Sequence, residues 1–237
     1  MARSLLITGT DTGIGKTTVA SAIAAALRRR GIDVGVIKPV ETGCDSDADG
    51  LLVPADALQL RWAARRDDPL DQVCPFRLRA PLAPAVAAAR EGVDLVLSDI
   101  VDRVRSMLAG SDVTLVEGAG GLLVPLAGSA TFADLARACD LRLLVVVGNR
   151  LGALNHARLT LDWARTARLD VAGYVVNTLQ PAADLAAETN VHMLRELCGA
   201  PIGVFPFIGA VARNDAERER LAEIAERWLN LDALLAQ

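Results

Sequence analysis

The amino-acid sequence predicts a doubly wound α/β fold, with a mostly parallel central sheet, helices on both faces, and residues 1–237 forming one domain. Three observations carry this. Short runs of Val, Leu and Ile recur without polar alternation, as in strands buried on both faces. Longer helix-period segments separate them, the alternation typical of parallel-sheet proteins. The first apolar run also passes directly into a glycine-rich turn, TGTDTGIGKT at 8–17, that opens a helix.

The elements follow in order. SLLIT at 4–8 is the first strand. The first helix covers about 16–30: Val19, Ile23 and Leu27 form its apolar stripe, Arg28, Arg29 and Arg30 fill its last turn, and Gly31 stops it. DVGVIK at 33–38 is the second strand. The acidic segment 41–56 lacks periodicity and reads as a loop, followed by a helix at 55–65. The stretch 74–88 carries three prolines and reads as irregular. Then come a helix at 94–109, the strand VTLVEG at 113–118, a helix at 131–138 and the strand LRLLVVV at 141–147. Helices at 153–168 and 182–197 bracket the strand DVAGYVVN at 170–177, and PIGVFP at 201–206 is the last strand. The charged end, AERERLAEIAERW, reads as a packing helix. Long loops in such a pattern tend to be functional, and ligands gather beyond the carboxyl ends of the strands.

Composition narrows the function. The chain is 52% hydrophobic, and 25 basic residues face 29 acidic ones for a net charge of −4. A broad nucleic-acid surface is normally basic, so that class of partner is not expected. The four cysteines, Cys44, Cys74, Cys139 and Cys198, show no C-x-x-C spacing, and only His156 and His192 accompany them. Idle thiols in a reducing compartment are expected, not a zinc site. The longest apolar run, LRLLVVVG, is far short of the roughly 18 residues of a membrane helix. The opening MARSLLITGT is too short in its apolar part for a signal peptide. A cytoplasmic protein without membrane contact is expected.

The turn TGTDTGIGKT has the context of a phosphate-binding P-loop, strand before and helix after. Gly15, Lys16 and Thr17 supply its second half. Five residues separate Gly9 from Gly15 where the usual motif has four, so Thr10 stands at the place of the first glycine. Backbone N–H groups of such a loop turn inward around phosphate oxygens at a helix N-terminus. Lys16 would reach the β- and γ-phosphates, and Thr17 would ligate magnesium. Glu117, at the end of an apolar strand and before a glycine turn, is the candidate acid near the metal. Asp56 is a second candidate that could equally be a helix cap. Lys38 ends the second strand, where it would help neutralise charge during phosphoryl transfer. The fold expected is therefore that of a P-loop NTPase.

The pieces GTDTGIGKT (9–17), KPVETG (38–43), DAL (56–58), VEGAGGLLVPL (117–126), GNRLGALNHA (148–157) and the Asn177 region occur in order along the chain. Together they resemble the dethiobiotin synthetase family, from the first strand to about residue 206. The resemblance implies ATP- and Mg2+-dependent closure of a ureido ring on 7,8-diaminononanoate and CO2, through a carbamate and a carbamic–phosphoric anhydride, in a homodimer. It implies that Lys16, Lys38, Thr12 and Thr42 serve the phosphates and carbamate. It surrounds magnesium with Thr17, Asp56 and Glu117. The nucleotide would be held by Thr10, Asp11, Thr12, Gly13, Ile14, Gly15, Lys16, Thr17 and Thr18, with Gly118, and its adenine by Asn177 and the segment around Pro206. Gly120, Gly121, Leu151, Gly152 and Asn155 would complete the substrate site, the last three at a subunit interface.

Two departures stand out. Gly13 replaces an acidic residue that other members can carry, and the 78–86 loop lacks the hydroxyl and histidine of some relatives, so the sequence leaves substrate contacts from that loop open. His156 is read as structural. Two other functions fit the same phosphate site. An amide-forming ligase of the cobyrinate type would need a glutaminase domain, for which there is no room. A nucleotide-switch ATPase of the partition or septum-positioning type would carry a lysine where this chain has Asp11.

Overall fold

The computed structural model describes residues 4–182 and 184–235. Six strands make the central sheet: β1 (Leu5–Gly9), β2 (Val34–Ile37), β3 (Val113–Gly121), β4 (Arg142–Asn149), β5 (Val171–Thr178) and β6 (Gly203–Phe205). Their spatial order is β6-β5-β4-β1-β3-β2, and every neighbouring pair is parallel. The order reverses beside β1, the switch point at which open α/β sheets form a ligand crevice.

Both faces of the sheet are covered, which explains the continuous apolar runs. Leu5 and Ile7 of β1 pack into one core, with α1 (Lys16–Arg29), α2 (Ala55–Ala63) and the helix Asp215–Trp228. Leu6, between them, packs into the opposite core with the helices Leu97–Leu108 and Phe132–Ala138. Val145 and Val147 of β4 face the helices Ala153–Thr166 and Leu185–Cys198. Burying each such side chain stabilises the fold by about 1.5–3 kcal/mol.

The six expected strands are the six strands of this sheet. The departures lie at the loops. β3 runs on through its glycines to Gly121, which lies in register with Gly9 across a bulge, so the stretch after Glu117 is strand and not a free turn. Within 41–56, Val40–Thr42 pairs in parallel with Phe76–Leu78, and Asp45–Ser46 pairs with Leu52–Val53. The proline-bearing stretch 74–88 supplies Phe76–Leu78 and the start of a helix, Pro84–Glu91. Proline in the first turn of a helix loses no hydrogen bond there, so this start was compatible with the sequence.

The four cysteines are free thiols, three of them buried. Burial pushes the Cys44 and Cys139 thiols up to about 11. At pH 8 roughly one such thiol in a thousand is ionised. Alkylation of the native protein by iodoacetamide should therefore be slow at Cys44 and Cys139 and faster at the half-buried Cys198. The rate at the two buried sites should rise about tenfold per pH unit while the fold holds. Peptide mass spectrometry after timed quenching reads this directly.

Candidate active site

The glycine loop leaves β1 at the switch point and is fixed from three sides. The Thr10 N–H donates to the Val146 carbonyl of β4 at 3.0 Å. The Asn177 amide, at the end of β5, donates to the Ile14 carbonyl at 2.8 Å. Gly15 is left-handed (φ +83°), and a Cβ there would stand 2.2 Å from the Asn177 Nδ2, so only glycine fits. The front of the loop is held through Asp11. Its Oδ1 accepts from the Thr12 N–H at 2.7 Å, its Oδ2 pairs with the Arg150 guanidinium, and its carbonyl accepts from the Lys16 Nζ at 3.1 Å.

A compact charge cluster lies behind the loop. The Lys38 Nζ sits 2.6 Å from Glu117 Oε1 and 2.9 Å from Asp56 Oδ2. The Thr17 hydroxyl donates to the same Glu117 oxygen at 2.8 Å. Glu117 is 1% exposed and Lys38 4%. The second Glu117 oxygen, Oε2, is buried and meets no hydrogen-bond donor among the described residues. Lys16 and Lys38 are the only lysines in the chain.

These neighbours set the charge states. Burial lowers the Lys16 ammonium below its usual range, with Lys38 adding to the shift against the pull of Glu117, Asp56 and Asp11. Burial acts in the same sense on Lys38, but Glu117, Asp56 and Glu41 outweigh it, and the group is held firmly protonated. For Asp56, burial favours the neutral acid; Lys38, Thr17 and Lys16 reverse this and the net shift is downward. Glu41, beneath α2, is pushed up to about 7, by burial first and by Asp56 next.

A cavity of about 590 Å³ opens over this cluster. Thr12, Gly13, Gly15, Lys16, Thr17, Thr18, Lys38, Thr42, Asp56, Glu117 and Gly120 line it, so the structure brings most of the sequence-derived site to one place. Pro81, Leu82, Ala83, Pro84 and Val124 form an apolar wall. The 78–86 loop, whose contacts the sequence left open, thus borders the cavity with apolar groups.

Other expected residues lie elsewhere. The Ile14 side chain is in the core; Gly118 backs onto Phe132, and Gly121 pairs with Gly9. Pro206 lines a separate cleft of about 400 Å³ with Thr178, Gln180 and Trp228. Leu151, Gly152 and Asn155 stand at the outer start of the helix Ala153–Thr166, with Leu151 85% exposed. Two contributors went unassigned in the sequence. Arg150 lay inside the quoted GNRLG and Glu41 inside KPVETG, yet neither has a pattern of its own, because each acts through a partner distant in the chain.

Among the described residues no group of three or more His, Cys, Asp or Glu side chains could cage a metal. Two carboxylates and a hydroxyl, with one carboxylate oxygen unpartnered, suit instead a small hard cation completed by phosphate and water oxygens.

The chain is similar in sequence to known proteins. The AAA domain family covers residues 3–216. An ATP-dependent dethiobiotin synthetase of Aromatoleum aromaticum is 42% identical, over 87% of this chain and 91% of its own. The chain belongs to the dethiobiotin synthetase family. A second member, from Thermodesulfovibrio yellowstonii, is 35% identical over the whole of both chains. A third, from Anaeromyxobacter dehalogenans, is 41% identical over 89% of this chain and 93% of its own.

Solved structures share the fold of this chain at low identity. A ParA family ATPase from Chlorobium tepidum covers both chains fully (TM-score 0.55, 15% identity). The MinC:MinD cell division complex of Aquifex aeolicus covers 99% of this chain and 93% of its own (TM-score 0.57, 14% identity). At these identities the likeness is one of fold alone.

Lys38→Met should cost about 3–5 kcal/mol in urea unfolding, because it leaves the buried Glu117 carboxylate without its cation. The double variant Lys38→Met/Glu117→Gln should recover a large part of that loss. Gly15→Ala should lower ATP affinity at least about tenfold by displacing Asn177 and the loop, read by calorimetric titration.

Proposed function

We propose that the chain closes the ureido ring of dethiobiotin from 7,8-diaminononanoate and CO2, with ATP converted to ADP and phosphate. The observation that carries this reading is the meeting of the two lysines with Thr17, Asp56 and Glu117 at one cavity, in a member of this family. Lys16, on the glycine loop, holds the β- and γ-phosphates. Lys38 and Thr42 hold the carbamate formed from CO2 and one amine, with Thr12 against Gly120 on the other side; a Cβ on Gly120 would come within 3.3 Å of the Thr12 hydroxyl. The apolar wall from Pro81 to Pro84 takes the alkyl chain of the diamine.

The residues then position and neutralise. A carbamate oxygen bonds to the γ-phosphorus as the bridge to ADP breaks, and the ammonium groups of Lys16 and Lys38 offset the charge on the transferring group. The second amine attacks the carbamoyl carbon of the mixed anhydride. Its C–O bond to phosphate breaks, phosphate leaves, and the amine gives up a proton as the ring closes. Holding the reacting groups in contact supplies most of the acceleration.

Thr17, Asp56 and Glu117 would hold magnesium, which would supply charge neutralisation at the phosphates, and the unpartnered Glu117 Oε2 supports a cation there. Adenine lies near Asn177, with the cleft beside Pro206 at the rim. A homodimer in the cytoplasm completes the reading. Leu151, Leu159 and Trp163 expose an apolar face around the helix Ala153–Thr166, suited to a second copy of the chain. Leu151, Gly152 and Asn155 would there face the partner's substrate. No helix among the described residues is long and apolar enough to cross a membrane.

The test is ADP release with ATP, magnesium and bicarbonate, with and without the diamine, and product analysis by mass spectrometry. ADP release should depend on the diamine and accompany dethiobiotin; release indifferent to the diamine, without that product, contradicts the reading. Lys16→Ala should abolish turnover, whereas Cys139→Ala, at a residue that does not line the cavity, should leave it near normal.

A further inference from the structure

Glu41 is a buried acid that neither lines the cavity nor hydrogen-bonds to a lysine. Its carboxylate faces the start of α2, where the capping position is Pro54 and no local side chain caps the helix. Glu41 does so from outside: Oε1 accepts from the Asp56 N–H and Oε2 from the Ala57 N–H, both at 3.0 Å. One carboxylate therefore satisfies two of the unpaired donors of this helix end, and those bonds offset part of the cost of burying its charge.

We propose that Glu41 is a positioning residue for the metal-binding carboxylate of Asp56, a role resting on the reading that Asp56 ligates magnesium. Lys38 and Glu41 lie three residues apart on one short segment and grip Asp56 from two sides. The Lys38 ammonium holds its side chain at 2.9 Å, and Glu41 holds its backbone N–H. The same ammonium holds Glu117 at 2.6 Å. The segment Lys38–Glu41 thus sets where the two carboxylates stand relative to each other, although Glu41 touches neither metal nor substrate. A glutamine cannot replace it, because its amide nitrogen would meet an N–H donor. An aspartate is one methylene too short to reach both donors.

The test compares Glu41→Gln and Glu41→Asp with the unaltered protein. In metal-free protein, hydrogen exchange at the Asp56 and Ala57 amides should rise about tenfold or more, while amides of the helix Ala153–Thr166 keep their protection. In the diamine-dependent assay the magnesium concentration for half-maximal ADP release should rise about 10–100-fold, with KM for the diamine unchanged. Unchanged exchange at the two amides overturns the positioning role. Loosened amides with an unmoved magnesium dependence overturn it differently, by removing Asp56 from the metal site. Loss of protection throughout the chain would mark Glu41 as a general stability element and also overturn the proposal.

Discussion

The site depends on one ammonium group. Lys38 leaves water almost completely, a cost that only close anions can offset, and it finds them in Glu117 and Asp56. These two carboxylates come from different elements, β3 of the sheet and the first turn of α2. Their shared cation therefore joins the switch point of the sheet to a helix that follows a loop. Thr17, at the start of α1, bonds the same Glu117 oxygen, so three elements converge on one carboxylate. The order of the strands, with β1 between β3 and β4, makes that convergence geometrically available.

Much of the fold was legible because the sheet is buried on both faces. Such strands cannot tolerate polar alternation, and β4, with Leu143 to Val147 all buried, announces itself as a run. The short pairings of Val40–Thr42 with Phe76–Leu78 and of Asp45–Ser46 with Leu52–Val53 were not legible. They are two or three residues long and partly exposed, and the first joins segments distant in the chain, so no periodicity marks them. The site divides in the same way. Lys16, Thr17 and Glu117 act through local motif context and could be found. Arg150 and Glu41 act by holding other residues, across long separations in sequence, and only coordinates bring them to their partners.

The likeness to the ParA and MinD structures shows how little of the specificity lies in the fold. At 14–15% identity the sheet and its helices are what these chains have in common. In this chain the long front of the loop is held within the fold, with Asp11 bound to Arg150 and its carbonyl holding the Lys16 ammonium. An aspartate tied to an arginine of the same chain fixes the loop internally. The apolar strip from Pro81 to Pro84 then faces the same cavity, giving the phosphate site a second, non-polar neighbour.

The placement of the two lysines has a consequence for handling the protein. All other cationic side chains among its 25 basic residues are arginines, and both lysine ammonium groups are buried, 7% and 4% exposed. Apart from a terminal amine, the surface offers no primary amine at all. Reagents that couple through side-chain amines (succinimidyl labels, aldehyde fixatives, amine cross-linkers) would find only the floor of the cavity. Whatever they achieve there would be inactivation, and occupation of the site by nucleotide would shield it. The molecule thus separates, by residue type alone, the guanidinium cations of its surface from an amine-bearing centre.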